Sequence, residues 1–161
     1  MADLASLLDA APMPDVRFRL LWQAVADIEP RQDLGAGPLG HRFIVPIKGG
    51  EFLGGPGLET LSGAIVPGGA DRQLLRADGM KQLEAIYEMR THDGIVLNIC
   101  NRVLIDESRD PRYAMSRIEV TAPRGPLEWL NRRVILGTLQ SARPQRDGVI
   151  IRAFEADALY A

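Results

Sequence analysis

"DGMKQLEAIYEMRTHDGIVLNICNRVLI", residues 78 to 105, decides the fold. Two Asp-Gly pairs, Asp78-Gly79 and Asp93-Gly94, bracket a run of alternating side chains, and a second alternating run follows. A period of two marks a strand with one face in a core, and Asp-Gly supplies the positive φ angles of a tight hairpin turn. The stretch reads as two antiparallel neighbours. A third pair, Asp147-Gly148, precedes "VIIRAFEA" (149 to 156) and predicts another hairpin.

The pattern recurs in both directions from this stretch, in "VRFRLLWQAVADI" (16 to 28), "HRFIVPI" (41 to 47), "LSGAIVP" (61 to 67), "MSRIEVT" (115 to 121) and "RVILGTL" (133 to 139). Sixteen glycines and eleven prolines leave few windows for a long helix. The chain of 161 residues has room for one domain with a real core, so the expected fold is all-β. It is a single antiparallel β-barrel of about 8 to 10 strands over the whole chain. Residues 1 to 15 form an N-terminal arm, in which Asp3 caps a short helix carrying Leu4, Leu7 and Leu8. "PLEWLNR" adds one turn, and "EPRQDLGAGPLG" (29 to 40) is the expected long loop.

Hydrophobic residues at 46% and charged residues at 25% exclude disordered, collagenous and coiled-coil classes. A net charge of −2 offers no field for nucleic acid or an anionic membrane, so neither is an expected partner. The N-terminus has no basic region ahead of its short apolar stretch, and no run approaches the length of a membrane span. The single cysteine, Cys100, fits a reducing compartment, and the expected location is the cytoplasm.

"GAGPLG" (35 to 40) has the G-x-G-x-x-G spacing, but no strand leads into it and a strand-like run follows, so no nucleotide cofactor is expected. His41 and His92 are the only histidines, which leaves no metal-ligand spacing and no expected metal. Ser62 lies outside a G-x-S-x-G elbow, and Cys100 reads as a buried structural thiol. The double glycine of "GAIVPGGADRQLLRADG" (63 to 79) reads as a bend that places Asp71 and Arg72 at the start of another alternating run.

In "QLEAIYEM", Leu83, Ala85, Tyr87 and Met89 share one face and Gln82, Glu84, Ile86 and Glu88 the other; in "SRIEVT", Arg117 and Glu119 share a face. Two arrangements are open. Charged faces commonly look into water. Turned inward, Asp71, Glu84, Arg117 and Glu119 would form a polar lumen in which a desolvated carboxyl serves as acid or base. Trp129, beside Asn131 and Arg132, offers a ring and polar groups to a flat or carbonyl-bearing ligand, or closes one end of the core.

"HRFIVPIKGGEFLGGPGLETLSGAIVPGGADRQ", "DGMKQLEAIYEMRTHDGIVLNICNR" and "LEWLNRRVILG" together resemble the DUF3237 family, also called UPF0311, over residues 16 to 156. The resemblance implies a small antiparallel β-barrel of largely uncharacterised role, with members tied to aromatic or polyketide-like metabolism. The chain departs from the family's pattern in having Arg72 for a tryptophan, Ile86 for an arginine and Leu127 for a tyrosine.

The resulting expectation is a barrel that binds a small aromatic or carbonyl-bearing molecule. Cofactor-free acid/base chemistry, as isomerase, cyclase or lactone hydrolase, is the reaction open to it. Asp71, Glu84 and Arg117 are the catalytic candidates, and Arg42, Arg72, Trp129 and Asn131 the ligand-binding ones. The alternative is a non-catalytic binding or assembly module, with a homodimer as the expected oligomer.

Overall fold

The computed structural model describes residues 1–161. Helix α1 (Leu4–Ala10) precedes ten strands: β1 (Asp15–Ile28), β2 (Gln32–Gly37), β3 (Gly40–Gly54), β4 (Gly63–Ile65), β5 (Gly69–Leu75), β6 (Lys81–Thr91), β7 (Val96–Asp106), β8 (Tyr113–Thr121), β9 (Val134–Ser141) and β10 (Gly148–Leu159). Antiparallel pairing runs from β1 through β10, β9, β8 and β7 to β6. It passes through β4 and β5 to β3, and β3 pairs back onto β1. The sheet thus closes as the expected antiparallel barrel. β4 and β5 occupy one barrel position between β3 and β6, and β2 stands outside it, so the ten strands make an eight-stranded barrel.

The Asp-Gly turns carry the hairpins on either side of β6, with Gly79 at φ 85° and Gly94 at φ 92°. Between β4 and β5 the double glycine is a bend. Gly68 takes φ 110°, and a Cβ on Gly69 would lie 2.6 Å from the Cβ of Tyr87. The first glycine turns the chain; the second lets it lie against β6.

Alternation decides what the barrel holds. Leu83, Ala85, Tyr87 and Met89 point inward, as do Leu97, Ile99, Val103 and Ile105 of β7, and these pack with Trp22 into one continuous core. Each large apolar side chain buried this way contributes about 1.5–3 kcal/mol. The other faces of β6 and β8 look out, which is the ordinary arrangement for alternating strands.

Asp3 caps α1 by accepting from the Ser6 amide at 2.8 Å, and no residue of the helix is buried. A 3-10 turn spans Glu128–Arg132, where one turn was expected. The segment 29 to 40, expected as a loop, instead contains β2, hairpinned onto the first residues of β3. Its residues are all exposed, so no apolar alternation announces it. No helix is long and apolar enough to cross a membrane.

Candidate functional site

The β5–β6, β7–β8 and β9–β10 connections gather at one end of the barrel, and the β6–β7 turn and β8–β9 connection at the other. Near the first end the lumen holds a cavity of about 130 Å³. Asp71, Gln73, Lys81, Asn101 and Arg112 supply its polar wall. Asp71 stands opposite Val45 on one side and Ala85 on the other, both buried, so its side chain shares their inward face. Asn101 is the next partner across Ala85, and the small alanine between the two leaves the pit its room.

Asp71 Oδ2 accepts from Gln73 Nε2 at 2.9 Å, whereas Oδ1 is buried with no protein partner. Burial pushes the carboxyl above its ordinary range, and the Gln73 hydrogen bond and the charge of Lys81 oppose that only in part. Tyr87 is two residues along β6 from Ala85, on the same face. Burial, and after it the charge of Asp71, hold its phenol far above the usual value. Tyr87 Oη and Asn101 Oδ1 also lack partners, as do Trp22 Nε1 and Ser116 Oγ. An unpaired buried polar atom costs about 1–3 kcal/mol, so this lumen carries unmet hydrogen-bonding capacity around Asp71. At the rim, Lys81 and Arg112 both approach Glu107, at 3.6 and 3.7 Å.

The lumen cluster of Asp71 with Glu84, Arg117 and Glu119 does not form. Glu84 pairs in register with Arg72 and Arg102, one residue out of step with Asp71, and therefore lies on the outer face. Arg117 follows opposite Arg102 on β8. Arg42, Arg72, Glu84 and Arg117 do meet, in a groove of about 730 Å³ on that outer face. Four of the expected site residues thus share one cavity, and the sheet separates them from Asp71.

Trp129 and Asn131 lie in the β8–β9 connection, away from both cavities. Trp129 is half-buried against the core with the guanidinium of Arg19 over its ring at 5.5 Å. The Asn131 amide is committed to Ala122, accepting from its N–H at 2.7 Å and donating to its carbonyl at 2.9 Å. This clamp shapes the connection. His41 pairs with Asp33 at 2.6 Å on the β2–β3 hairpin, and His92 sits in the β6–β7 turn. Ser62 Oγ accepts from the Gly54 amide and donates to the Glu59 carbonyl. Cys100 is half-buried on the outer face, opposite Ile86 and Glu119, where burial raises its thiol above the ordinary value.

The residues absent from the sequence-based candidates are Gln73, Lys81, Asn101 and Arg112 in the pit, and Tyr87, which lies outside its lining but feels the charge of Asp71. For Asn101 and Tyr87 a signal existed: each falls on the inward phase of a strand among apolar neighbours. The rim cations come from strand ends and loops, which no periodicity marks.

The molecule is thus a small closed β-barrel with a largely apolar interior and an acid-bearing pit near one end. It belongs to the family described as "Protein of unknown function (DUF3237)", which matches residues 16–156. A "UPF0311 protein" of Rhodopseudomonas palustris (strain TIE-1) is 30% identical over 141 residues, covering 79% of this chain and 86% of that one. The crystal structure of a conserved protein of unknown function from Rhodopseudomonas palustris superposes with a TM-score of 0.80 at 27% identity, over 90% of this chain and all of that one. An enzyme from Penicillium herquei shares the fold, with a TM-score of 0.70 at 17% identity over 92% of this chain and 98% of its own. Of the three positions expected to depart from the family's pattern, Arg72 lines the outer groove, Ile86 is exposed on the outer face, and Leu127 is buried in the β8–β9 connection.

Proposed function

We propose that the protein binds a small carbonyl-bearing organic molecule in the lumen pit and that Asp71 moves a proton on it. The observation that carries this reading is the buried, unpartnered Asp71 Oδ1 at a cavity wall, on a carboxyl whose proton is held more tightly than usual. A perturbed acid inside a pocket is the physical signature of general acid/base work. Protonated, Asp71 donates to a carbonyl oxygen and polarises it. Ionised, it takes the α-proton, and returning that proton to another carbon isomerises the ligand. The charge of Lys81, which Asp71 feels, favours the enolate that forms in between. Glu84 and Arg117 have no part in this step, because they face away from the pit.

The test follows α-hydrogen exchange in D₂O by NMR with cyclohexanone and 3-cyclohexenone. The wild-type protein incorporates deuterium faster than buffer, and Asp71→Asn slows exchange at least ~100-fold, the scale of a lost general base. Glu84→Gln exchanges at the wild-type rate. Equal rates for wild type and Asp71→Asn would remove Asp71 from the chemistry.

A second reading, assembly into a dimer, is favoured by α1 alone: Leu4, Leu7 and Leu8 are exposed at 71%, 57% and 64% and pack on nothing in their own chain. The lone thiol accords with a reducing, cytoplasmic setting for either role.

A further inference from the structure

The outer groove is built from six neighbouring strands, β3 and β5 to β9, and is chemically unlike the pit. Arg42 comes from β3, Arg72 from β5, Glu84 from β6, Arg102 from β7 and Arg117 from β8. Its apolar surface is Leu74, Leu104, Met115 and Leu136, with Tyr113 alongside. The volume of about 730 Å³ lies in the range of small-molecule sites, about 300–1,000 Å³.

Charge is distributed unevenly in it. Arg102 is committed, donating through Nε to Glu84 and through Nη1 to Glu119, both at 3.0 Å. Both carboxylates are therefore engaged with the central arginine. No carboxylate is within ion-pair distance of Arg42, Arg72 or Arg117. Four arginines against one glutamate line the groove of a chain whose net charge is −2. Arg117 also stands directly opposite Arg102 in the β7–β8 ladder, a like-charge pair in which Glu84 and Glu119 both bind Arg102 and neither binds Arg117.

We propose that this groove is a second binding site, for an organic anion with a flat apolar body and a carboxylate-like head. A planar guanidinium fork, that of Arg72 or that of Arg117 three strands away, takes the head by paired N–H donation, and the aliphatic surface takes the body. Arg42, near the start of β3, adds a third positive charge. The arginines of this site lie on the opposite face of the sheet from Asp71, although Gln73, Leu83 and Val103 contribute to the walls of both cavities.

Titration with 8-anilinonaphthalene-1-sulfonate, an aromatic sulfonate whose fluorescence rises on binding, tests it, with 2-naphthoate as competitor. The wild-type protein binds the sulfonate, 2-naphthoate displaces it, and raising NaCl weakens it. Arg72→Gln with Arg117→Gln raises Kd at least ~10-fold, the equivalent of about 1.4 kcal/mol, while Asp71→Asn leaves it unchanged. Two-dimensional NMR of the same complexes locates the perturbed amides. Shifts at residues 72, 102 and 117 that vanish in the double variant support the site. Sulfonate binding that ignores the arginines, or shifts confined to α1 or the lumen, would overturn it.

Discussion

Asp71 and Arg72 are neighbours in the chain and serve opposite sides of one sheet. Asp71 sits in the lumen because its ladder partners Val45 and Ala85 are buried; Arg72, opposite Ile44 and Glu84, faces out. The folded protein holds the Asp71 proton to a higher pH than the unfolded chain does, so stability from this residue is greatest below the ordinary carboxylate value of 3.8. It falls as pH rises from there through the raised folded value, by about 1.4 kcal/mol per unit of elevation. Asp71→Asn is neutral throughout and lacks this fall. Thermal melts should place the variant above wild type at pH 7, with the difference shrinking towards acid pH. Curves that run parallel would mean that Asp71 is not buried as a strained acid.

At the scale of elements, the barrel is closed by β1 and β3, and the β9–β10 connection fastens that seam. Arg146 donates to both oxygens of Asp27 on β1, at 2.5 and 2.8 Å, and to Glu51 on β3 at 3.1 Å. Its hydrogen bond holds the Asp27 carboxyl below the ordinary value of 3.8, so the stabilisation is full above that value. It disappears as pH falls through the lowered folded one. Arg146→Ala should lower the urea midpoint at pH 7, by no more than an exposed charge-assisted pair allows. The cost should vanish in strong acid. An undiminished loss there would show that Arg146 acts through packing of its stem instead.

Across the whole molecule, α1 is the element whose apolar side chains find no partner within the chain. Val16 and Phe18, near the start of β1, are also each 57% exposed. Replacing Leu4, Leu7 and Leu8 by serine should leave the melting temperature of the barrel unchanged, because none is buried in it. Light scattering should find the wild-type protein as a dimer and the triple variant as a monomer. A wild-type monomer would end the assembly reading without touching the pit or the groove.

The stretch from Asp78 to Ile105 determined much by itself: alternation and Asp-Gly turns are local properties, and they sufficed for strands, hairpins and an antiparallel barrel. The capped helix was legible for the same reason, since Asp3 and Ser6 are three residues apart. β2 was not legible, because a hairpin arm with no buried face has no pattern to show. The site divided along similar lines. Asp71 could be singled out from the sequence, but not its side of the sheet, because β5 carries polar residues on both faces. That choice belongs to the ladder: inward phase passes from Ala85 to Asp71 on one side and Asn101 on the other, and outward phase from Glu84 to Arg72 and Arg102. Register across strands is a long-range property. It put the acid in the lumen and the arginines in the groove outside it.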